Sequence, residues 1–147
     1  MQAAQTHQAD AVQTASKAVH VGLWVLQAGL GAMFIAAGVM KVGISQAEIL
    51  AMGEQQAWVL RAPEALIRFI GVAELAGGLG LILPAATRIK PWLTPLAAAG
   101  LTTVMVLAAG VHVLHGEFAA ITVNVVLGTL TALVAYGRFR PAPIASR

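Results

Sequence analysis

Four stretches of this chain run to membrane-crossing length with almost no charge inside them, and nothing else in the sequence constrains its fold as tightly. A hydrocarbon core about 30 Å thick needs about 20 apolar residues at about 1.5 Å of helical rise each. The runs are Val19 to Met40, between Lys17 and Lys41; Ala65 to Leu83, between Pro63-Glu64 and Pro84; Trp92 to Leu114, between Lys90-Pro91 and His115-Gly116-Glu117; and Phe118 to Tyr136, ahead of Gly137-Arg138. Backbone groups in lipid must bond to one another, so such runs are helices. Charge is also too scarce for a soluble surface: 10% of the 147 residues are charged and 59% hydrophobic, against roughly 25% charged in a soluble domain. The expected fold is an all-α integral membrane protein, an antiparallel four-helix transmembrane bundle surrounded by lipid.

Composition also narrows the partners and cofactors. The net charge is +3, but the nine Lys and Arg residues lie singly among apolar runs, with no basic cluster beside stacking aromatics, which excludes a nucleic-acid partner. The absence of cysteine removes disulfides, thiolate metal sites and cysteine-anchored iron–sulfur clusters. The sequence carries no haem or flavin signature either. Redox chemistry would need a second protein or a bound carrier, of which a quinone stays open.

Residues 1–16 are polar and lack the basic start of a signal peptide; they are expected to be a flexible or surface-lying tail. Residues 17–138 form the transmembrane domain and 139–147 a C-terminal tail. Only the link from Lys41 to Ala62 is long enough to have structure of its own. There Ser45 and Glu48 fit a capping box, and Ile44 with Ile49 a hydrophobic staple. The apolar Ile49, Leu50, Met52, Trp58, Val59 and Leu60 among Glu54, Gln55 and Gln56 suit a helix lying in the interface or closing as a lid. With four spans, Lys17, Arg88, Lys90, Arg138, Arg140 and Arg147 share one side, while Glu48, Glu54, Glu64 and Glu117 collect on the other. By the positive-inside rule both termini are cytoplasmic and the interfacial helix is extracytoplasmic.

Bundled membrane helices turn small and polar residues inward. Spacings of three and four link His20, Trp24, Gln27, Gly31, Phe34, Gly38 and Lys41 in the first span, and Glu64, Ile67, Gly71, Glu74, Gly78 and Leu81 in the second. The third gives Ala98, Thr102, Met105, Ala109 and His112, and the fourth Asn124, Gly128, Thr131, Ala135 and Arg138. Arg68 sits beside its stripe and is free to snorkel outward. Gly71, Gly77, Gly78 and Gly80 read as close-packing positions, not as a phosphate loop.

By depth, Lys41, Arg68, His112 and Asn124 belong to the outer half, with Glu74 near mid-bilayer. An ionisable group at that depth costs about 2.5–3.5 kcal/mol on insertion scales and marks a functional candidate. Glu74 is either a proton-exchanging group or a structural hydrogen-bond partner between helices; Lys41 is either a head-group contact or an interfacial anchor; Asn124 is either a pocket residue or a polar joint between helices. His112 and His115, at i and i+3, with Glu117 nearby could start a metal site, though no complete ligand set is evident and none is assigned. A haem held by His20 and His112 fails, because the two lie about 30 Å apart by helix rise.

Gly31-x-x-Phe34-x-x-x-Gly38-x-x-Lys41, then Phe69-Ile70-Gly71-x-x-Glu74-Leu75, Met105 with His112, and Asn124 together resemble the DoxX-like family of small bacterial membrane proteins, over about Val21 to Arg138. The resemblance implies a four-helix bundle in the bacterial plasma (inner) membrane. Its founders are associated with thiosulfate:quinone oxidoreductase and terminal quinol oxidase complexes. Carried over residue by residue, it marks Lys41, Glu74, His112 and Asn124 as a polar pocket. We count Glu74 and His112 as proton-handling, and Lys41, Arg68, Asn124, Phe34 and Met105 as substrate-binding. The function expected first is a quinone-associated or redox-complex component with an outer-half pocket for a lipophilic small molecule. The alternatives are a non-catalytic assembly subunit, or a cofactor-free isomerase or hydrolase acting on a lipophilic substrate, so whether the chain is an enzyme stays open. A second copy of the chain or another membrane subunit is the expected protein partner. Transport by one copy fits less well, since four spans leave little room for an inverted repeat.

Overall fold

A computed structural model describes residues 2–53 and 58–147, with side chains from residue 17 onward. Among the described residues there are five helices and no strand: α1 (Gln2–Gly43), α2 (Gln46–Ala51), α3 (Glu64–Thr87), α4 (Leu93–His115) and α5 (Phe118–Phe139). Four segments have the length and apolarity to cross a membrane, Lys17–Gly43, Glu64–Thr87, Leu93–His115 and Phe118–Phe139. Helix α1 also continues back through residues 2–16, the stretch expected as a tail. Large apolar side chains such as Val25, Val113, Leu114, Phe118 and Leu133 are exposed on the outside of the bundle, as a lipid-facing surface requires. This is an all-α, multi-pass membrane bundle.

Pro84 marks the expected end of the second span, yet α3 continues through it to Thr87. Proline removes one backbone donor, and in a membrane helix neighbouring groups make up the loss more readily than an unwound segment would. The helix stops at Arg88, which takes a left-handed conformation with φ of 58°. Pro95 lies in the first turn of α4, where no intrahelical donor is needed.

The helices form a ring in which α1 packs along α3 and α4 along α5; α3 meets α4, and α1 touches α5 more sparsely. The α1–α3 seam is built by glycine. A Cβ on Gly38 would lie 2.6 Å from the Gly71 carbonyl, and one on Gly78 would lie 2.8 Å from the Gly31 carbonyl. Two glycines one heptad apart on each antiparallel helix therefore let the backbones touch. The main apolar cluster, including Leu30, Phe34, Leu81, Leu101, Met105 and Val134, fills the middle of the ring. The expected stripes run along the buried face: Gln27, Gly38, Lys41, Glu74, Met105, His112, Gly128, Thr131 and Arg138 are all buried, whereas Glu64 at the end of its stripe is exposed.

Between α1 and α3 the chain folds back over the bundle. Ser45 and Glu48 make the capping box: the Ser45 N–H donates to Glu48 Oε2 at 2.8 Å, and the Glu48 N–H donates to Ser45 Oγ at 3.3 Å. Ile44 packs with Ile49 as the staple, in a second apolar cluster built on Ile49, Val59 and Ile67. Gln46 Nε2 donates to the carbonyls of Val59 and Ala62, tying α2 to the returning leg. Residues 58–60 form one tight helical turn. Glu54, Gln55 and Gln56, expected in the same interfacial stretch, lie outside the described residues. Because Ile49 and Val59 are buried on Ile67 of α3, this segment sits on the bundle as a lid.

Candidate functional site

Beneath the lid is an open cavity of about 590 Å³, walled mainly by apolar side chains of α3, α4 and α5. That volume suits a small molecule. Lys41, Trp58, Arg61, Glu74, Met105, His112, His115, Glu117 and Asn124 all line it. The polar members arrive by three separate routes.

Lys41 comes from the last turn of α1 and Glu74 from the middle of α3. Their side chains are buried, and Lys41 Nζ donates to Glu74 Oε2 at 2.6 Å. The glycine seam brings them together: Gly38 lies one turn before Lys41 and Gly71 one turn before Glu74, and a Cβ on Gly71 would fall 2.8 Å from Lys41 Cβ. Two charges removed from water must satisfy each other, and this helix approach lets them.

His112 and Glu117 meet through a helix ending. The Glu117 N–H donates to the His112 carbonyl at 3.0 Å and the Gly116 N–H to Val113 at 3.2 Å, with Gly116 at φ of 68°. This is a Schellman reversal, whose left-handed residue favours glycine. It folds Glu117 back beside the last turn of α4, so that His112 Nδ1 lies 2.5 Å from Glu117 Oε2. Glu117 stands just before α5 but makes no side-chain cap there. Its other oxygen accepts from Arg61 of the lid. Glu117 thus joins α4, α5 and the lid.

The third group is single polar side chains. Asn124 Nδ2 donates to the Ala120 carbonyl of its own helix at 2.9 Å, and His115 Nδ1 lies 2.8 Å from the Val111 carbonyl. No group of three His, Asp or Glu able to hold a metal ion occurs among the described residues; His115 is turned onto its own helix while His112 faces Glu117.

Of the residues expected to bind substrate, Lys41, Met105 and Asn124 line the cavity with Glu74 and His112. Phe34 lies in the apolar cluster at the centre of the ring. Arg68 does something the sequence did not suggest: its Nη1 donates to the carbonyls of Lys41, Val42 and Ile44 at 2.9, 2.6 and 2.9 Å, and its Nη2 to Glu64 at 2.9 Å. The Lys41 and Val42 carbonyls are among those a helix end leaves without partners and Ile44 follows directly after α1, so Arg68 caps α1 and thereby steadies the turn carrying Lys41. Arg61 and Glu117 are the residues sequence reasoning undervalued.

Outside the membrane-spanning segments, Glu48 is held below the ordinary carboxylate range by its hydrogen bonds to the Ser45 side chain and backbone. The capping box is therefore complete at neutral pH.

A second polar cluster closes the opposite end of the bundle. Arg138 Nε donates to Gln27 Oε1 at 2.7 Å, and Gln27 Nε2 donates to the Leu81 carbonyl at 3.1 Å. Arg138 Nη1 donates to the Ala142 carbonyl and lies 3.2 Å from His20 Nδ1, while the guanidinium stands 5.6 Å from the centre of the Trp24 ring. This links α5 through α1 to α3, and none of its side chains reaches the cavity.

A family model described as the DoxX-like family matches residues 25–134, most of the chain, with the second and third spans whole and the first and fourth in part. No curated protein and no solved structure matches.

Proposed function

The chain belongs to the DoxX-like family, and on that premise we propose that it binds a lipophilic molecule in the cavity under the lid, as a quinone-associated component of a redox complex in a bacterial inner membrane. One observation carries this reading: two ionisable pairs, Lys41–Glu74 and His112–Glu117, face the same largely apolar cavity of about 590 Å³. Apolar walls with a few convergent polar groups are the usual make-up of a ligand site, and ionisable groups at membrane depth more often serve function than packing. A quinone would supply the electron transfer that a chain without cysteine does not supply from its own side chains. Glu74 and His112 would exchange protons with the bound head, and Lys41 would hold Glu74 in place. The cations gathered at the Arg138 end support cytoplasmic termini, and on that reading the cavity opens in the extracytoplasmic half.

The test is to purify the protein in mild detergent, extract what travels with it and assay the extract for quinones and other lipophiles, then repeat with Glu74→Gln and His112→Ala. Ligand should accompany the wild type and be reduced several-fold in both variants. If nothing lipophilic is recovered and both variants remain folded and active in cells, the pairs are structural and the chain is an assembly subunit.

A further inference from the structure

The cavity's own hydrogen-bonding groups indicate what kind of head it accepts, and this inference rests on the reading of the cavity as a ligand site. Every Lys, Arg and Glu lining it already has an opposite charge: Lys41 has Glu74, and Arg61 has Glu117, which also takes His112. A charged head would have to break one of these pairs or lose its hydration beside a balanced one, and both are costly in an apolar enclosure. The charge ledger therefore favours an uncharged ligand.

What stays unused on the α4–α5 wall is mainly acceptor capacity. His115 Nδ1 faces the Val111 carbonyl, which can only accept, so the ring proton is on Nδ1 and the Nε2 of the neutral ring carries a lone pair. His112 follows the same logic, because its Nδ1 faces the Glu117 carboxylate. Asn124 gives one N–H to Ala120 and keeps Oδ1 and its second N–H. Across the cavity, Lys41 uses one of its three N–H groups on Glu74. Acceptors on one wall and a donor on the other are the complement of a hydroxyl, which both donates and accepts.

We propose that the cavity selects an uncharged lipophilic molecule with a hydroxyl head, which for a quinone carrier means its reduced form, whose O–H donates to the His112, His115 and Asn124 wall and whose oxygen faces Lys41. His115 and Asn124 set specificity by supplying acceptors that an ether or ester head would leave without a donor.

The test is competitive equilibrium binding to the full chain in lipid nanodiscs, with four probes of matched chain: a long-chain alkylphenol, its methyl ether, an alkyl carboxylate and an alkylammonium. The phenol should bind about tenfold more tightly than the ether, the effect of one good hydrogen bond in an apolar site, and both charged probes more weakly than the ether. Asn124→Leu and His115→Phe should each weaken phenol binding more than ether binding and so narrow the gap between them, a pattern that loss of fold cannot produce. Equal binding of phenol and ether, or tighter binding of either charged probe, overturns the hydroxyl assignment and leaves the ligand-site reading standing. If none of the four binds, the ligand-site reading fails and this inference fails with it.

Discussion

The two ends of the bundle bury polar groups in opposite ways. At the lid end charges come in matched pairs, Lys41 with Glu74 and Arg61 with Glu117, with the His112 ring hydrogen-bonded to the same Glu117 carboxylate, all beside open volume. At the other end a single cation, Arg138, is enclosed by neutral partners, Gln27, Ala142 and His20, with Trp24 against its face, and those side chains line no part of the cavity. The Arg138 cluster uses Nε and Nη1 to hold three helices together, and its one unpartnered nitrogen, Nη2, is shut away from any open volume. The lid-end cluster turns its spare polar atoms toward the cavity. Polar burial in a membrane bundle thus does not by itself mark a site; free capacity beside open space does.

The sharpest way to break this comparison is to remove one polar group at each end. Glu74→Leu strands Lys41 in an apolar setting and should cost about 3–5 kcal/mol, whereas Lys41→Met combined with Glu74→Leu should recover most of that loss. Arg138→Met leaves Gln27 bonded to Leu81 and should cost about 1 kcal/mol, since hydrogen bonds between membrane helices average about 0.6 kcal/mol. Thermal unfolding of the variants in one detergent measures all of them. If Arg138→Met destabilises as strongly as Glu74→Leu, the two ends do not differ in the way described.

A smaller effect should come from the seam that places Lys41 beside Glu74. Gly38→Ala sets a methyl 2.6 Å from the Gly71 backbone, and Gly71→Ala sets one 2.8 Å from Lys41 Cβ, whereas Gly22 has nothing within 4 Å. Overpacking of this kind costs about 1–3 kcal/mol, so either seam variant should lower the unfolding temperature while Gly22→Ala leaves it nearly unchanged. Ligand recovery should fall with the seam variants alone, because separating α1 from α3 also separates the ion pair. Equal behaviour of all three would show that the glycines do not position Lys41.

Much of this was readable in advance, for physical reasons. The spans are legible because lipid demands unbroken apolar length, and the stripes because a polar side chain in lipid has only the bundle interior to face. Gln27, Lys41, Glu74, His112 and Arg138 are buried for that reason. What escaped depends on reach across the fold. Arg68 caps α1 only because the α1–α3 register brings its guanidinium under three free carbonyls. Arg61 meets Glu117 through the path of the lid, which local pattern does not encode. The His112–Glu117 contact did leave a trace: Gly116 directly after a helix signals a Schellman reversal, which brings the next residue back toward the last turn. Pro84 read as a boundary because proline ends helices in water more readily than in lipid.

The smallest expected effect separates the ends by acidity. Hydrogen bonds from Ser45 hold Glu48 below its ordinary range, so ionised Glu48 favours the folded lid above that range. As pH falls through it, the carboxylate takes up a proton and the capping box is lost. Amide hydrogen exchange in α2 should therefore rise modestly between neutral and acid pH, after correction for intrinsic rates, whereas near Arg138 no carboxylate takes part among the described contacts and His20 is the group through which acid would act. Ser45→Ala should make α2 exchange faster at neutral pH and remove most of its acid dependence. An acid response that survives Ser45→Ala would assign it to another group at the lid end, with His112–Glu117 the next to test, and the lid would then answer to the cavity instead of to its own cap.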